Sequence, residues 1–183
     1  MNKKIKVAFD LDGVLVDKPP LISKAVIEWL FRGHKSQRLY YRFPTKKVEQ
    51  LIRKASHFYL LRPPIGENIK FVQKLAQSDQ YELYVVSGRY SFLKGETEQW
   101  LKKRKVKDCF RQIFINLENM QPHLFKEKIL KQIKPDIFVD DDFLLVEYLK
   151  RKVKIDKMFC YSHSIKFEKE DIIGSLSALE SFL

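Results

Sequence analysis

Apolar residues follow two rhythms along most of this chain. Short runs of β-branched and aromatic residues between polar or turn-forming ones read as buried strands. Apolar residues three and four apart read as one face of a helix. Residues 4–10 (Lys-Ile-Lys-Val-Ala-Phe-Asp) form the first expected strand, followed by Tyr81 to Val86, Phe110 to Ile115, Asp136 to Val139 and Met158 to Tyr161. Helical spacing runs over residues 67–77, through Ile69, Phe71, Val72, Leu75 and Ala76. It returns from about Gly95 to Lys105, from Phe125 to Ile133, from Phe143 to Lys150 and from Asp171 to Leu183. Strands alternating with helices predict an α/β fold, a Rossmann-like core whose five-stranded parallel sheet is covered on both faces.

The stretch between 18 and 62 shows no strand pattern. Leu21, Ile22, Ala25, Val26, Trp29 and Leu30 predict a helix over 19–32. A polar, aromatic-rich segment from His34 to Phe43 follows. Pro44-Thr45 then opens a second helix through Val48, Leu51, Ile52 and Ala55, ending near Leu61. Arg62-Pro63-Pro64-Ile65-Gly66 is turn chemistry and marks a return to the core rhythm. The expected organisation is a core of residues 1–16 and 63–183 with a small helical insert, 17–62, after the first strand.

Composition narrows this picture. With 183 residues, 45% of them hydrophobic, the chain suits one domain plus a small insert. No apolar run reaches the roughly 18–20 residues that a membrane helix requires. Met1-Asn2-Lys3-Lys4-Ile5 leads straight into a strand pattern, so no signal peptide is expected. Cys109 and Cys160 form no CxxC pair and suggest no disulfide framework; a cytoplasmic setting is the default expectation. His34, His57, His123 and His163 lack zinc-ligand spacing. There is no GxxxxGK loop, so a phosphate group must be held in some other way. The formal net charge is +12, and residues 17–62 hold 11 Lys/Arg against 3 Asp/Glu. Such a balance fits steering of phosphorylated small molecules, a nucleic-acid partner, or a solvated lysine-rich surface.

The acidic residues carry the chemistry. Asp10 and Asp12 follow the first strand; Asp140, Asp141 and Asp142 follow the fourth. Open α/β sheets bind ligands beyond the C-terminal ends of their strands. Carboxylates gathered there repel one another and call for a cation. Hard oxygen donors with few histidines suit Mg²⁺.

The run Phe9-Asp10-Leu11-Asp12-Gly13-Val14-Leu15-Val16-Asp17 resembles the first motif of the haloacid dehalogenase-like (HAD) superfamily of phosphatases and phosphotransferases. Val85-Val86-Ser87-Gly88-Arg89 resembles its second motif, Lys126 its third, and Phe138-Val139-Asp140-Asp141-Asp142 its fourth, in the family's order. Residues 18–62 fall where that family inserts a cap. The resemblance implies that Asp10 is a nucleophile forming an aspartyl phosphate. It implies that Asp12 acts as acid and then base, and that its backbone carbonyl helps to hold the metal. Gly13 provides the tight turn after the motif. Ser87 and Gly88 would hold phosphoryl oxygens, with positive charge from Lys126 or Lys128; Lys126 shares the stripe of Ile129, Leu130 and Ile133. Asp10, Asp12 and Asp141 would be metal ligands, with Asp140 supporting them from behind or reaching the metal through water. Asp142 is either a further ligand or the N-cap of the next helix. Arg89 either reaches a substrate phosphate or lies on the surface. A second Asp at the position of Asp12 argues against the dehalogenase and P-type ATPase branches.

These features predict a Mg²⁺-dependent phosphomonoester hydrolase acting on a small phosphorylated metabolite. A nucleoside monophosphate comes first, by resemblance of the insert to the 5′(3′)-deoxyribonucleotidase branch, and sugar phosphates follow. Ser87-Gly88-Arg89 with Thr97 and Trp100-Leu101 also resembles 3′-phosphatase domains of polynucleotide kinases. A nucleic-acid end-processing enzyme or binder is therefore one alternative, and a phosphomutase another. The interleaved Phe31, Arg32, His34, Arg38, Tyr40, Tyr41, Arg42, His57 and Tyr59 read either as a lid lining the site mouth or as ordinary helix packing.

Overall fold

The computed structural model describes residues 3–19, 39–162 and 171–183. Six parallel strands form one sheet in the order β3-β2-β1-β4-β5-β6. They are β1 (Ile5–Phe9), β2 (Tyr81–Tyr90), β3 (Gln112–Asn116), β4 (Ile137–Asp140), β5 (Lys157–Tyr161) and β6 (Ile172–Ile173). The described helices are α1 (Lys47–Ser56), α2 (Gly66–Ala76), α3 (Lys94–Lys103), α4 (Pro122–Ile133) and α5 (Phe143–Lys152).

The two faces of each strand feed separate cores, as the two-residue side-chain period requires. Val7, Phe9, Val85 and Val139 point into one, against Val72 and Leu75 of α2 and Trp100 and Leu101 of α3. Ala8, Val86 and Phe138 point into the other, against Phe125, Ile129 and Leu130 of α4 and Leu145, Val146 and Leu149 of α5. Strands covered on both faces carry near-continuous apolar runs, which is why they were readable.

The sequence winds outward from β1 through β2 to β3, then returns to β4 on the other flank of β1. The crevice of such a sheet opens where the order reverses, between β1 and β4. Phe9 stands beside Val139 and Val85, so Asp10 and Asp140 emerge on adjacent strand ends. Residues 11–17 fold back at once: the amides of Leu15 and Val16 donate to the Leu11 carbonyl, and Gly13 N–H donates to the Val16 carbonyl.

Two expectations are corrected. The sheet has six strands, because Ile172 and Ile173 pair with β5 where a helix over 171–183 was expected. Without them the edge of β5 would carry unpaired backbone groups; Cys160 N–H donates to the Asp171 carbonyl and Ser162 N–H to that of Ile173. Only Leu176–Phe182 winds into a 3₁₀ helix, seating Leu176 and Leu179 in the core. The second helix of the 17–62 stretch is also shorter than expected, Lys47–Ser56 instead of Pro44 to Leu61. Of the helix expected over 19–32, all but residue 19 lies outside the described residues, as do Phe31, Arg32, His34, Arg38 and His163. No helix among the described residues is long and apolar enough to cross a membrane.

Candidate active site

Four elements converge at the crevice. β1 delivers Asp10, whose backbone N–H donates to the Val139 carbonyl and so ties it to β4. β4 delivers Asp140 at its last position, fully buried. α4 begins with Pro122 at its first position, where a missing amide costs nothing, and turns Lys126 inward. Lys126 Nζ lies 3.0 Å from Asp10 Oδ1 and 2.6 Å from Asp140 Oδ2. The lysine is therefore buried with two acidic partners. Lys128, the alternative, is exposed on the other side of the helix and pairs with Glu118.

One carboxylate oxygen each from Asp10, Asp140 and Asp141 lies within 4.8 Å of the others. Asp10 and Asp140 are buried, whereas Asp141 is exposed. Burial drives the Asp10 carboxyl well above the ordinary range; Lys126 pulls it down, and Asp140 and Asp141 push it up again. Asp140 is raised by burial against the pull of Lys126. Asp141 is pushed up to about 7, by the protein crowded around its carboxyl and then by the charge of Asp140. Burial lowers Lys126, but Asp10 and Asp140 outweigh it and hold the ammonium charged. One ammonium among three carboxylates leaves negative charge to be neutralised, and the donors are all hard oxygens. The set fits a divalent cation such as Mg²⁺.

Gly13 makes room for Asp141. At φ 76° it occupies the left-handed region, and a Cβ there would lie 2.0 Å from Asp141 Oδ2. Asp142 belongs to the helix: its Oδ1 accepts from the amides of Leu144 and Leu145 as the N-cap of α5, and Tyr41 Oη donates to its Oδ2. Asp142 N–H in turn donates to Asp140 Oδ1 at 3.1 Å.

Ser87 and Gly88 lie on β2, next to β1 on the side away from β4. Ser87 is buried, and its Oγ accepts from the Arg89 amide at 3.3 Å. Gly88 lies so close to Pro122 that a Cβ would approach the proline Cβ to 2.8 Å. The β2–β3 register shifts between Ser87 and Tyr90, which frees this strand end from regular pairing.

Asp12 is not a free carboxylate. Arg89 Nε donates to its Oδ2 and Arg89 Nη2 to its Oδ1, both at 2.7 Å. Arg62 Nη2 donates to Oδ1 as well. Burial pushes Asp12 up, but Arg89 and Arg62 more than offset it and hold it far below the ordinary carboxylate range. His57 lies close behind, buried and lowered to about 3 by burial and then by the charge of Arg89. Its Nδ1 lies 2.8 Å from the Arg53 carbonyl, which assigns the proton of the neutral ring to Nδ1.

The structure thus brings Asp10, Asp140, Asp141 and Lys126 together, with Ser87 and Gly88 on the neighbouring strand end. Arg89, expected either to reach a substrate phosphate or to lie on the surface, is buried and paired with Asp12. Sequence reading assigns Arg62 no place in the site, and it names His57 only among residues that read either as a lid or as helix packing. Arg62 read as the start of a Pro-Pro turn, and only the contact across 50 residues reveals its partner.

Comparison with solved structures places this architecture. Over 100% of this chain and 99% of the other, it superposes on YfnB from Bacillus subtilis, a magnesium-bound protein described as a HAD-hydrolase, with a TM-score of 0.67 at 13% identity. The fold is that of the HAD-like hydrolases. L-2-haloacid dehalogenase from Xanthobacter autotrophicus, with chloropropionic acid covalently bound, gives a TM-score of 0.62 at 10% identity over 98% of both chains. The HAD-like protein SP0104 from Streptococcus pneumoniae gives 0.58 at 14%, over 98% of this chain and 99% of that one. No protein-family model and no curated protein sequence matches the chain. In this fold the segments of Asp10, Lys126 and Asp140-Asp141 meet at the crevice between β1 and β4, and Ser87 lies at the end of β2 on the other flank of β1.

Proposed function

We propose that the protein is a Mg²⁺-dependent phosphomonoester hydrolase working through an aspartyl phosphate. The observation that carries this reading is the meeting of Asp10, Asp140 and Asp141 with Lys126 at one crevice. Asp10 attacks phosphorus, the bond to the leaving oxygen breaks, and an alcohol departs. Lys126 and the Ser87 hydroxyl face the charge on the phosphoryl oxygens. Asp12 relays to the leaving oxygen the proton that it gained from water in the preceding turnover. As an ionised carboxylate it then takes a proton from the water that attacks the aspartyl phosphate, releasing inorganic phosphate and restoring Asp10. Asp10, Asp140, Asp141 and the Asp12 backbone carbonyl would hold Mg²⁺, which when bound supplies further positive charge to the phosphoryl group.

Residues 17–62 are read as a cap over this crevice, and its size favours small phosphorylated metabolites, nucleoside monophosphates first. A nucleic-acid end is the second reading, on the +8 of this stretch. Two of its cations, Arg53 and Arg62, are buried, which reduces the charge available to a polyanion.

The test is phosphate release from a panel of nucleotides, sugar phosphates and p-nitrophenyl phosphate, with Mg²⁺ or with EDTA. Metal-dependent release from the wild-type protein is expected, with a loss of at least several hundredfold in Asp10→Asn. Release that survives in Asp10→Asn would reject the aspartyl-phosphate route.

A further inference from the structure

We infer that Arg62 and Arg89 are positioning residues for Asp12, and that Arg89 does not contact the substrate. The inference rests on the phosphatase reading. It explains how a carboxylate on a tight loop is held where it can act.

Arg89 grips Asp12 with a two-point fork, Nε on Oδ2 and Nη2 on Oδ1, each at 2.7 Å. Arg62 adds a third bond to Oδ1 from another part of the chain. Oδ1 therefore has two donors and Oδ2 one, which leaves capacity on Oδ2 for a proton in transit. A bidentate guanidinium–carboxylate pair fixes the plane of the carboxylate as well as its place. An aspartate with its two soft torsions otherwise samples several rotamers, and misplacing a catalytic group by about 1 Å costs on the order of 100-fold in rate.

Both arginines are themselves held. Arg89 Nη1 donates to Thr97 Oγ1 at 3.1 Å, and Thr97 Oγ1 donates to the Leu93 carbonyl at 2.8 Å. The Arg62 carbonyl accepts from Trp100 Nε1 at 2.7 Å. Thr97 and Trp100 lie three residues apart on α3, one helical turn, and both are completely buried. Arg62 and Arg89 are 6% and 5% exposed, so neither presents a face to a ligand, while the Asp12 side chain is 34% exposed. The chain of contacts runs from α3 through the arginines to Asp12 and ends at the open crevice.

A double-mutant cycle tests this, with p-nitrophenyl phosphate and Mg²⁺. Departure of p-nitrophenolate needs no acid, so kcat reports the hydrolysis step that Asp12 assists. Arg89→Lys keeps the charge and loses the fork. It is expected to lower kcat by about 10- to 100-fold with KM little changed. In an Asp12→Asn background, the same substitution should change kcat by less than about twofold, since nothing is left to position. Thr97→Val carries the same comparison, with a smaller loss, should Arg89→Lys fail to fold. An equal fractional loss in both backgrounds overturns the inference, as does a raised KM with kcat retained, the mark of a substrate contact. Wild-type protein that hydrolyses neither p-nitrophenyl phosphate nor any ester of the panel sinks the phosphatase reading and this inference together. Hydrolysis with an additive cycle sinks this inference alone.

Discussion

Gly13 and Asp141 compete for one volume, and glycine is the residue that concedes it. A methyl group at residue 13 would overlap the Asp141 carboxylate, and φ 76° disfavours any side chain by about 1–2 kcal/mol. Gly13→Ala should therefore move Asp141 away from Asp10 and Asp140 while leaving the sheet intact. The expected outcome is a loss of Mg²⁺ affinity on the order of 10- to 100-fold by isothermal titration. Unchanged affinity would show that Asp141 is not a ligand. Residues of this kind differed in how well they could be read beforehand. Asp10, Asp12, Asp140 and Asp141 stand within a few positions of apolar runs that announce their strands, so local sequence was enough. Helix periodicity turns Lys126 rather than Lys128 toward the sheet, and Lys126 lies buried against Asp10 and Asp140. Arg62 and Arg89 were different. Their partner lies 50 and 77 residues away, and no local pattern encodes such a contact.

Among the elements, α3 has the widest reach. Its buried face carries Thr97, Trp100 and Leu101; Trp100 packs in the core and also ties down the Arg62 carbonyl through its indole N–H. Removing that donor leaves the carbonyl with only the Arg104 Nη2 contact at 3.4 Å. Trp100→Phe should cost about 1–3 kcal/mol in urea unfolding, through the orphaned carbonyl and the smaller ring. A change below about 0.5 kcal/mol would mean that Arg104 compensates. Element type was readable wherever an apolar period was sustained, as in β1, β4, α2 and α5. The C-terminal segment misled because Ile172, Ile173, Leu176, Leu179 and Leu183 satisfy a helical period, while the open edge of β5 needs backbone partners and takes the first of them. Side-chain spacing carries no information about another strand's unpaired amides.

For the molecule as a whole, His57 links stability to pH. Its pKa is lowered from 6.5 to about 3 by burial, so the unfolded chain takes up the proton first as acid is added. The folded state therefore keeps the full contribution of neutral His57 above pH 6.5. It loses roughly 1.4 kcal/mol per pH unit between 6.5 and about 3, and no more below that. Urea unfolding of the wild-type protein and of His57→Gln between pH 7 and 4 should give a shallower slope for the variant. Parallel slopes would mean that His57 titrates normally in the folded protein. The histidine, Arg62 and Asp12 also define where the chain can be recut. Arg62 looks like a linker residue, two places before the last proline of a turn, yet its side chain ends on Asp12 and its carbonyl on Trp100. A chimera that exchanges the insert beginning at residue 17 for another protein's, to graft a new selectivity, has its downstream seam before residue 57. Joined at the prolines instead, the graft would carry away one of the three bonds that hold Asp12.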